Sequence, residues 1–379
     1  MASVKLIKFL DRYVGSIICL VLSLFPFSKK KISYKRILLI QLWGVGETVL
    51  CLPMIKTLRQ KCKNSSIDVL TTKRVNEVFY NNKNVNNIKI LNLNPVSIKG
   101  FILKNLKKYD LVIDMEEYLN ISAIIAFYAG KERIGYSHGI RSRLYTKKIA
   151  YNDNQHVSQT FMDLLKPLGI NKKVKSLEKL DYSNDDKNKV EKILEDNNIS
   201  EKDFIVGLGI GAAESVRERM WPKERFAAVA DYLIKKYNAK IIFIGNKEEE
   251  DLANETQNLM ENKDNSLNLA GKTSIREMFC LISLCKLFVG NDAGPMHVAA
   301  AQRVKTIGLF GCNLPIRFSP FGKSNIAIRK QSGEACINVH KGQVGKCRYG
   351  IENACVKKIQ AEDVIKVINK PFQSSKIYK

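Results

Sequence analysis

The sequence is poor in acid. It sets 37 Asp and Glu against 62 Lys and Arg, a formal net charge of +25 over 379 residues. A field of that size acts on anions: nucleic acid, an anionic membrane surface or a phosphorylated substrate. Other absences narrow the field. No CxxC pair occurs among the nine cysteines, so a zinc knuckle is not indicated. No apolar run reaches the roughly 20 residues of a confident membrane span. The first apolar stretch lacks a small-residue cleavage site and runs into Lys29, Lys30 and Lys31, which argues against a signal peptide. No helix-turn-helix, zinc-finger or RNA-recognition signature accompanies the charge, so nucleic acid is not expected as a partner. The G-x-G-x-x-G fingerprint fails in GIGAAE (209–214), where Glu214 stands at the third glycine, and hydride transfer loses its main support.

What is present is ordinary globular material, 45% hydrophobic and 26% charged, enough for two domains and incompatible with disorder or a disulfide scaffold. Cys51, Cys62, Cys280 and Cys285 lie in or beside apolar stretches and read as small buried hydrophobes of a reducing compartment. Cys336, His340, Cys347 and Cys355 cluster in the tail. They contain the donors of a zinc site without its usual spacing, and a loop of free thiols is the expectation. The positive excess is uneven, net +19 over residues 1–180 and net +6 over 181–379. Val14–Phe27 (VGSIICLVLSLFPF) is nearly all apolar, with Lys5, Lys8 and Arg12 before it. The reading is a membrane-surface helix with basic flanks; the alternative is a helix packed on the protein itself.

From residue 36 short apolar runs alternate with helical stretches. RILLIQL (36–42), IDVLTT (67–72) and DLVIDM (110–115) read as buried strands, and 50–61 as a helix. Residues 171–203 are polar and hold a linker and a first helix. The rhythm then repeats: strands at 204–211, 239–245, 286–292 and 305–311, helices from Pro222 to Tyr237 and Lys247 to Asn262. Two successive βαβ arrays predict two doubly wound, Rossmann-like α/β domains facing a central cleft. The expected boundaries are 1–31 for the basic N-terminal helix and flank, 32–175 for the first domain and 176–379 for the second with its cysteine-bearing tail. The sequence does not say which domain receives the last helix, 361–369.

Three blocks can carry chemistry. In LWGVGETVLCLPMIKTLR (42–59), Gly44 and Gly46 permit a tight strand-to-helix turn that puts Glu47 at the mouth of the first domain. There it serves as a general base or merely complements the helix dipole. GLGIGAAESVRERMWPKERF (207–226) joins a glycine-rich turn, with Gly211 and Ala212, to Arg217, Arg219 and Trp221-Pro222. Backbone N–H groups with guanidinium forks suit a diphosphate. VGNDAGPMHVAAAQRVKTIGLFG (289–311) places Asp292, Ala293 and Gly294 after a strand and His297 in the first turn of the helix, whose N-terminal amides suit phosphate oxygens.

These blocks, in this order and at these separations, resemble glycosyltransferase family 9, the ADP-heptose:lipopolysaccharide heptosyltransferases. The resemblance covers about residues 34–368; NDAGPMHVAAA is its most specific part, then the R-x-W-P turn, with RIGY (133–136) and the tail before KKIQAEDVIKVI also similar. It implies a GT-B fold and inverting, metal-independent transfer of a sugar, a heptose from ADP-heptose, to a lipid-linked saccharide in lipopolysaccharide or other cell-envelope glycan synthesis. Carried over by position, the general-base aspartate falls on Glu47, the phosphate-binding lysine on Arg219, and Asp-Thr-Gly on Asp292-Ala293-Gly294. Each departs from the family's residue while keeping its charge or backbone donors. Glu249, after the strand IIFIG, falls where the family holds the donor ribose; a solvated acidic run is the alternative reading.

The expected donor site is thus Gly211, Ala212, Arg219, Glu249, Asp292, Ala293, Gly294 and His297. The acceptor would be held by the basic first domain, with Lys104, Lys107, Arg133, Arg141 and Arg143 as candidates. The expected partners are a nucleotide diphosphate sugar, the anionic lipid-linked acceptor and an anionic membrane surface, with no cofactor or metal. The expected setting is a monomer, peripheral on the cytoplasmic face of the inner membrane. The competing reading is a degenerate family member that binds nucleotide sugar or lipid saccharide without transfer.

Overall fold

β1 (Arg36–Ile40), with sequence RILLI, is buried everywhere but at Arg36, and β4 (Tyr109–Asp114), YDLVID, is buried throughout. Strands so apolar must be covered on both faces, which parallel crossover connections achieve. In a computed structural model of the chain, which describes residues 4–25, 33–212, 217, 219–330, 336 and 354–370, they are the centre of one parallel sheet. β2 (Ser66–Thr71), β3 (Asn87–Ile90), β5 (Gly130–Tyr136) and β6 (Lys147–Ile149) complete the order β3-β2-β1-β4-β5-β6. Leu38 and Ile40 of β1 pack with Val112 of β4 against Ala123, Ile124 and Ala126 of the helix that follows. Ile37 and Leu39, alternating with them, face the opposite layer.

The first unit ends at Lys175. Its helices are α1 (Val4–Leu22), α2 (Val45–Lys61), α3 (Pro95–Lys104), α4 (Asn120–Ala129) and α5 (Val157–Asp163). The second unit begins at Ser176 and opens with α6 (Asn184–Glu195), started by a capping box in which Ser183 and Asp186 bond each other's backbone N–H. β7 (Ile205–Gly209), α7 (Lys223–Tyr237), β8 (Lys240–Phe243), α8 (Glu250–Asn258), β9 (Ser266–Asn268), α9 (Ile275–Leu284), β10 (Leu287–Asn291), α10 (Gly294–Ala301), β11 (Lys305–Leu309), α11 (Pro315–Phe318), β12 (Ile326–Ile328) and α12 (Ala361–Asn369) follow. The second sheet is again parallel, in the order β12-β11-β10-β7-β8-β9.

Both sheets therefore have the same winding. The chain goes outward from the first strand, then crosses back to the fourth on its other side. The pairs β1/β4 and β7/β10 are the topological switch points, and the carboxyl ends of such strands are where open α/β sheets bind ligands.

Some elements differ from the sequence expectation. α2 begins at Val45 rather than Leu50, because Gly44 (φ 81°) turns the chain at once from strand to helix. The outer strands β3, β6, β9 and β12 are short and only partly buried, so they leave no continuous apolar run. The placement of α12, which the sequence left open, is settled rather than changed: it packs on the second unit, with Val364 and Ile368 in one core with Leu233 of α7.

Candidate functional site

In the second unit the switch point is clamped by one asparagine. Asn291, the last residue of β10, donates from Nδ2 to the carbonyls of Ile210 (2.6 Å) and Gly211 (3.3 Å), and its Oδ1 accepts the Trp221 N–H (3.0 Å). The glycine-rich turn after β7 and the R-x-W-P turn are thereby tied to the end of β10. Trp221 is buried against Phe226, and its indole donates to the Ile359 carbonyl (2.8 Å). Arg219 donates from Nη1 to the Asp292 carbonyl (3.0 Å), and the same nitrogen lies 3.2 Å from Asp292 Oδ2. Asn313, after β11, donates to that oxygen as well (2.9 Å). The other carboxylate oxygen lies 4.0 Å from His297 Nε2.

Asp292 and His297 are both buried. Ala293 is the N-cap of α10, and, having no hydroxyl, makes no side-chain cap bond. The first-turn amides of α10 thus carry the helix dipole at the switch point beside a fixed guanidinium, an arrangement that suits a diphosphate. Cys312 lies in the same neighbourhood with its thiol pushed up to about 12 by burial, so it is a packing group there rather than a nucleophile.

Glu249, not Glu248, turns inward. Its carboxyl accepts the Asn246 N–H (2.9 Å) and lies so close to Gly211 and Gly245 that a Cβ on either glycine would collide with it. Glu248 stays exposed. Burial raises the Glu249 carboxyl above its ordinary range.

In the first unit the turn after β1 is held from β4. Glu116, buried just past the end of β4, accepts the N–H groups of Leu42 (2.6 Å) and Trp43 (3.0 Å) on Oε1. Burial pushes its carboxyl up to about 8 against the opposing pull of those two N–H groups. Glu47 is half-buried in the first turn of α2, and a Cβ on Gly44 would collide with its carboxylate. Thr48 closes that turn by donating from both N (3.0 Å) and Oγ1 (2.7 Å) to the Gly44 carbonyl.

The expected acceptor-holding cations divide in the structure. Arg141 is buried, donating to Asp114 Oδ2 (2.7 Å) and the Glu116 carbonyl (2.5 Å); Asp114 also accepts from Ser122 (2.8 Å) and Tyr145 (2.6 Å). Arg133 is buried too, donating to the carbonyls of Leu144 and Gly130, and burial lowers it to about 10. Neither is a surface cation, because each is enclosed with internal acceptors. Lys107 bonds the carbonyls of Phe127 and Gly130, with its ammonium lowered to about 8 by burial and by Arg133.

Lys104 is exposed but stands before β4. It and Lys107 thus lie at the amino edge of the sheet, a strand length of about 20 Å from the turn of Glu47. Arg143, exposed in the 3-10 turn after β5, lies at the carboxyl edge with Glu47.

Sequence reading missed Asn291, Asn313 and Glu116. Asn291 sits inside the most specific block, and a polar residue closing a buried strand was the available signal. Nothing in the sequence connects Asn313 to Asp292.

His340 and Cys347 of the tail lie outside the described residues, as do Lys29, Lys30 and Lys31. No cluster of metal-ligating side chains occurs among the described residues, and no described helix is long and apolar enough to cross a membrane.

Comparison with known proteins bears on the family and the fold. The model of glycosyltransferase family 9 (heptosyltransferase) matches residues 102–347. Lipopolysaccharide heptosyltransferase 3 of Escherichia coli K12 is 26% identical over 344 residues, 86% of this chain and 94% of that protein. Lipooligosaccharide heptosyltransferase 2 of Campylobacter jejuni is 34% identical over 125 residues, 33% of this chain and 39% of that protein. The chain spans about two fifths to a half of the length of two Campylobacter jejuni relatives it matches (39% and 51%). Among solved structures, the family 9 glycosyl transferase of Veillonella parvula superposes with a TM-score of 0.76 at 23% identity, over 90% of this chain and 98% of that one. E. coli ADP-heptose LPS heptosyltransferase II gives 0.70 at 20% identity, over 88% and 97%. The architecture is the GT-B fold, and the matched region contains both the R-x-W-P turn and the Asp292 block: the chain belongs to glycosyltransferase family 9, the heptosyltransferase family.

Proposed function

We propose that the protein transfers a heptose from ADP-heptose to a lipid-linked saccharide of lipopolysaccharide or another cell-envelope glycan, with inversion and without a metal, at the cytoplasmic face of the inner membrane. The observation that carries the reading is the Arg219–Asp292 pair at the uncapped N-terminus of α10, on the switch point of the second sheet. The relatives' names support the heptose, and a solved relative, E. coli heptosyltransferase WaaC, was crystallised with ADP-2-deoxy-2-fluoro heptose.

In this mechanism the acceptor hydroxyl attacks the anomeric carbon as the bond from that carbon to the diphosphate oxygen breaks. Charge grows on the leaving diphosphate. Arg219, fixed through Asp292, and the first amides of α10 stabilise it without reorganising. Glu249 takes the ribose hydroxyls beside Gly211. Glu47 accepts the proton of the attacking hydroxyl, and Arg143 holds an anionic group of the acceptor. Glutamate is one methylene longer than the family's aspartate, and its half-buried place over Gly44 gives it a defined position.

The test is Glu47→Gln with saturating ADP-heptose. Transfer should fall by about 10²–10⁴-fold, while thermal stabilisation by the donor persists. A variant rate near wild type would remove Glu47 as the base. Donor stabilisation of the wild type with no transfer to any lipid-linked saccharide would favour the reading of a binder without activity.

A further inference from the structure

α1 has two opposite faces. The inner one, Asp11, Gly15, Cys19 and Leu22, is docked on the first unit. Asp11 accepts the backbone N–H groups of Asn120 (2.9 Å) and Ile121 (2.7 Å), and so caps α4 from outside. The Asn120 amide donates back to the Asp11 carbonyl (2.9 Å). Gly15 allows the helices to touch, since a Cβ there would stand 2.9 Å from Asn120 Cβ. Cys19 and Leu22 enter the same core as α4.

The outer face is apolar and exposed among the described residues. Phe9, Tyr13, Ile17 and Val21 recur at four-residue spacing, and Leu24 stands in the turn that follows the helix, with Ile17 63% and Leu24 79% exposed. Five such side chains on one stripe are not the scattered surface apolars of a soluble protein.

We infer that this outer face of α1 is a docking surface for an anionic phospholipid bilayer, and that it is built rigidly into the edge of the first unit where the acceptor is handled. Charge selects the occupant. Arg12 is exposed beside the stripe, Lys5 and Lys8 precede it in sequence, and residues 1–180 carry net +19. That charge repels a second copy and draws in anionic headgroups. A helix of 19 residues with one docked face and a broad exposed apolar face, to which Leu10, Val14, Ile18 and Leu20 also belong, lies in the interface rather than crossing it.

The placement follows from topology. α4 starts at the carboxyl edge of β4, and Asp11 is bound to that start. α1 also rests on the 3-10 turn Ile140–Leu144, which carries Arg143. A bilayer on the outer face of α1 therefore lies beside the edge that bears Glu47 and Arg143. The helix is a fixed part of the domain, not a tether. The link to an acceptor rests on the proposed function; the lipid surface does not, and its test reads no transfer.

The full-length protein is mixed with vesicles of phosphatidylcholine containing phosphatidylglycerol, or of phosphatidylcholine alone, and sedimented. The protein should pellet with the anionic vesicles only, and less so at high salt. The double variant Ile17→Glu/Leu24→Glu should cut the bound fraction about tenfold or more, with its melting temperature and helical circular dichroism kept because both side chains face outward. Wild-type protein that stays in solution with anionic vesicles overturns the inference, and this arm needs no variant. Equal binding by a folded double variant overturns it too. So does a wild-type dimer by light scattering that the double variant converts to monomer, which would make a second copy the occupant.

Discussion

Arg219 Nη1 lies 3.2 Å from Asp292 Oδ2 and donates to the Asp292 carbonyl at 3.0 Å. One residue thus anchors the guanidinium by both its side chain and its backbone, and the R-x-W-P turn is fixed to the end of β10. Arg219→Ala should lower transfer by about 10²–10³-fold, as expected for loss of a preorganised charge on the leaving group. Arg219→Lys should recover most of that, since it keeps the charge. Asp292→Ala should also cost about 2–4 kcal/mol of stability by leaving a mostly buried arginine without its carboxylate. Steady-state kinetics and urea melts of the three variants read both effects.

Glu116 supplies a pH signature. Its folded carboxyl titrates at about 8, raised by burial above the ordinary value of 4.5. The folded state therefore holds a proton that the unfolded state has lost between those two values. Its contribution to stability is full below the ordinary carboxylate range and is lost as pH rises towards 8. Glu116→Gln keeps an oxygen to accept the Leu42 and Trp43 N–H groups but cannot ionise. The variant should match wild type at about pH 4 and gain on it steadily up to about pH 8, with no further gain above. Parallel melts across that range check the prediction; a constant difference would contradict it.

The Asp11 cap predicts a stability effect from a residue far from any chemistry. Asp11→Ala removes the acceptor of two N–H groups at the start of α4. It should cost about 1–2 kcal/mol and expose α1 to limited proteolysis ahead of the remaining chain. An unchanged melting temperature and digestion pattern would contradict the docking of α1 through this residue.

Gly211 makes room for Glu249. A methyl at Gly211 would meet the Glu249 carboxyl, so Gly211→Ala should raise the KM for donor several-fold with a smaller effect on kcat. Glu249→Ala should do the same, and the double variant should cost little more than either single one, because the two residues act on one contact. Additive losses would separate them.

The central strands were legible in the sequence because burial on both faces writes an unbroken apolar run, as in RILLI and KLFVGND. The outer strands were not, because an edge strand half-open to water tolerates Asn and Lys, as in β3 and β6. The residues at the second unit's switch point were legible because a glycine-rich turn, an Asp at a strand end and a helix start are local patterns. The surroundings of the first unit's cations were not. Arg133, Arg141 and Arg143 look alike in sequence, yet the first two are enclosed with carbonyls and Asp114, and only Arg143 reaches solvent.

By itself the sequence determined the two α/β units, the family blocks and the carboxylate at the head of α2, since each depends on residues close together along the chain. Tertiary structure alone decided which cations are surface groups, which of Glu248 and Glu249 turns inward, that Asn313 meets Asp292 and that Asp11 caps α4. These pairings join residues up to 110 positions apart. They exist only once the sheets and helices have closed, because burial and hydrogen-bond partners are properties of the packed chain and not of any segment.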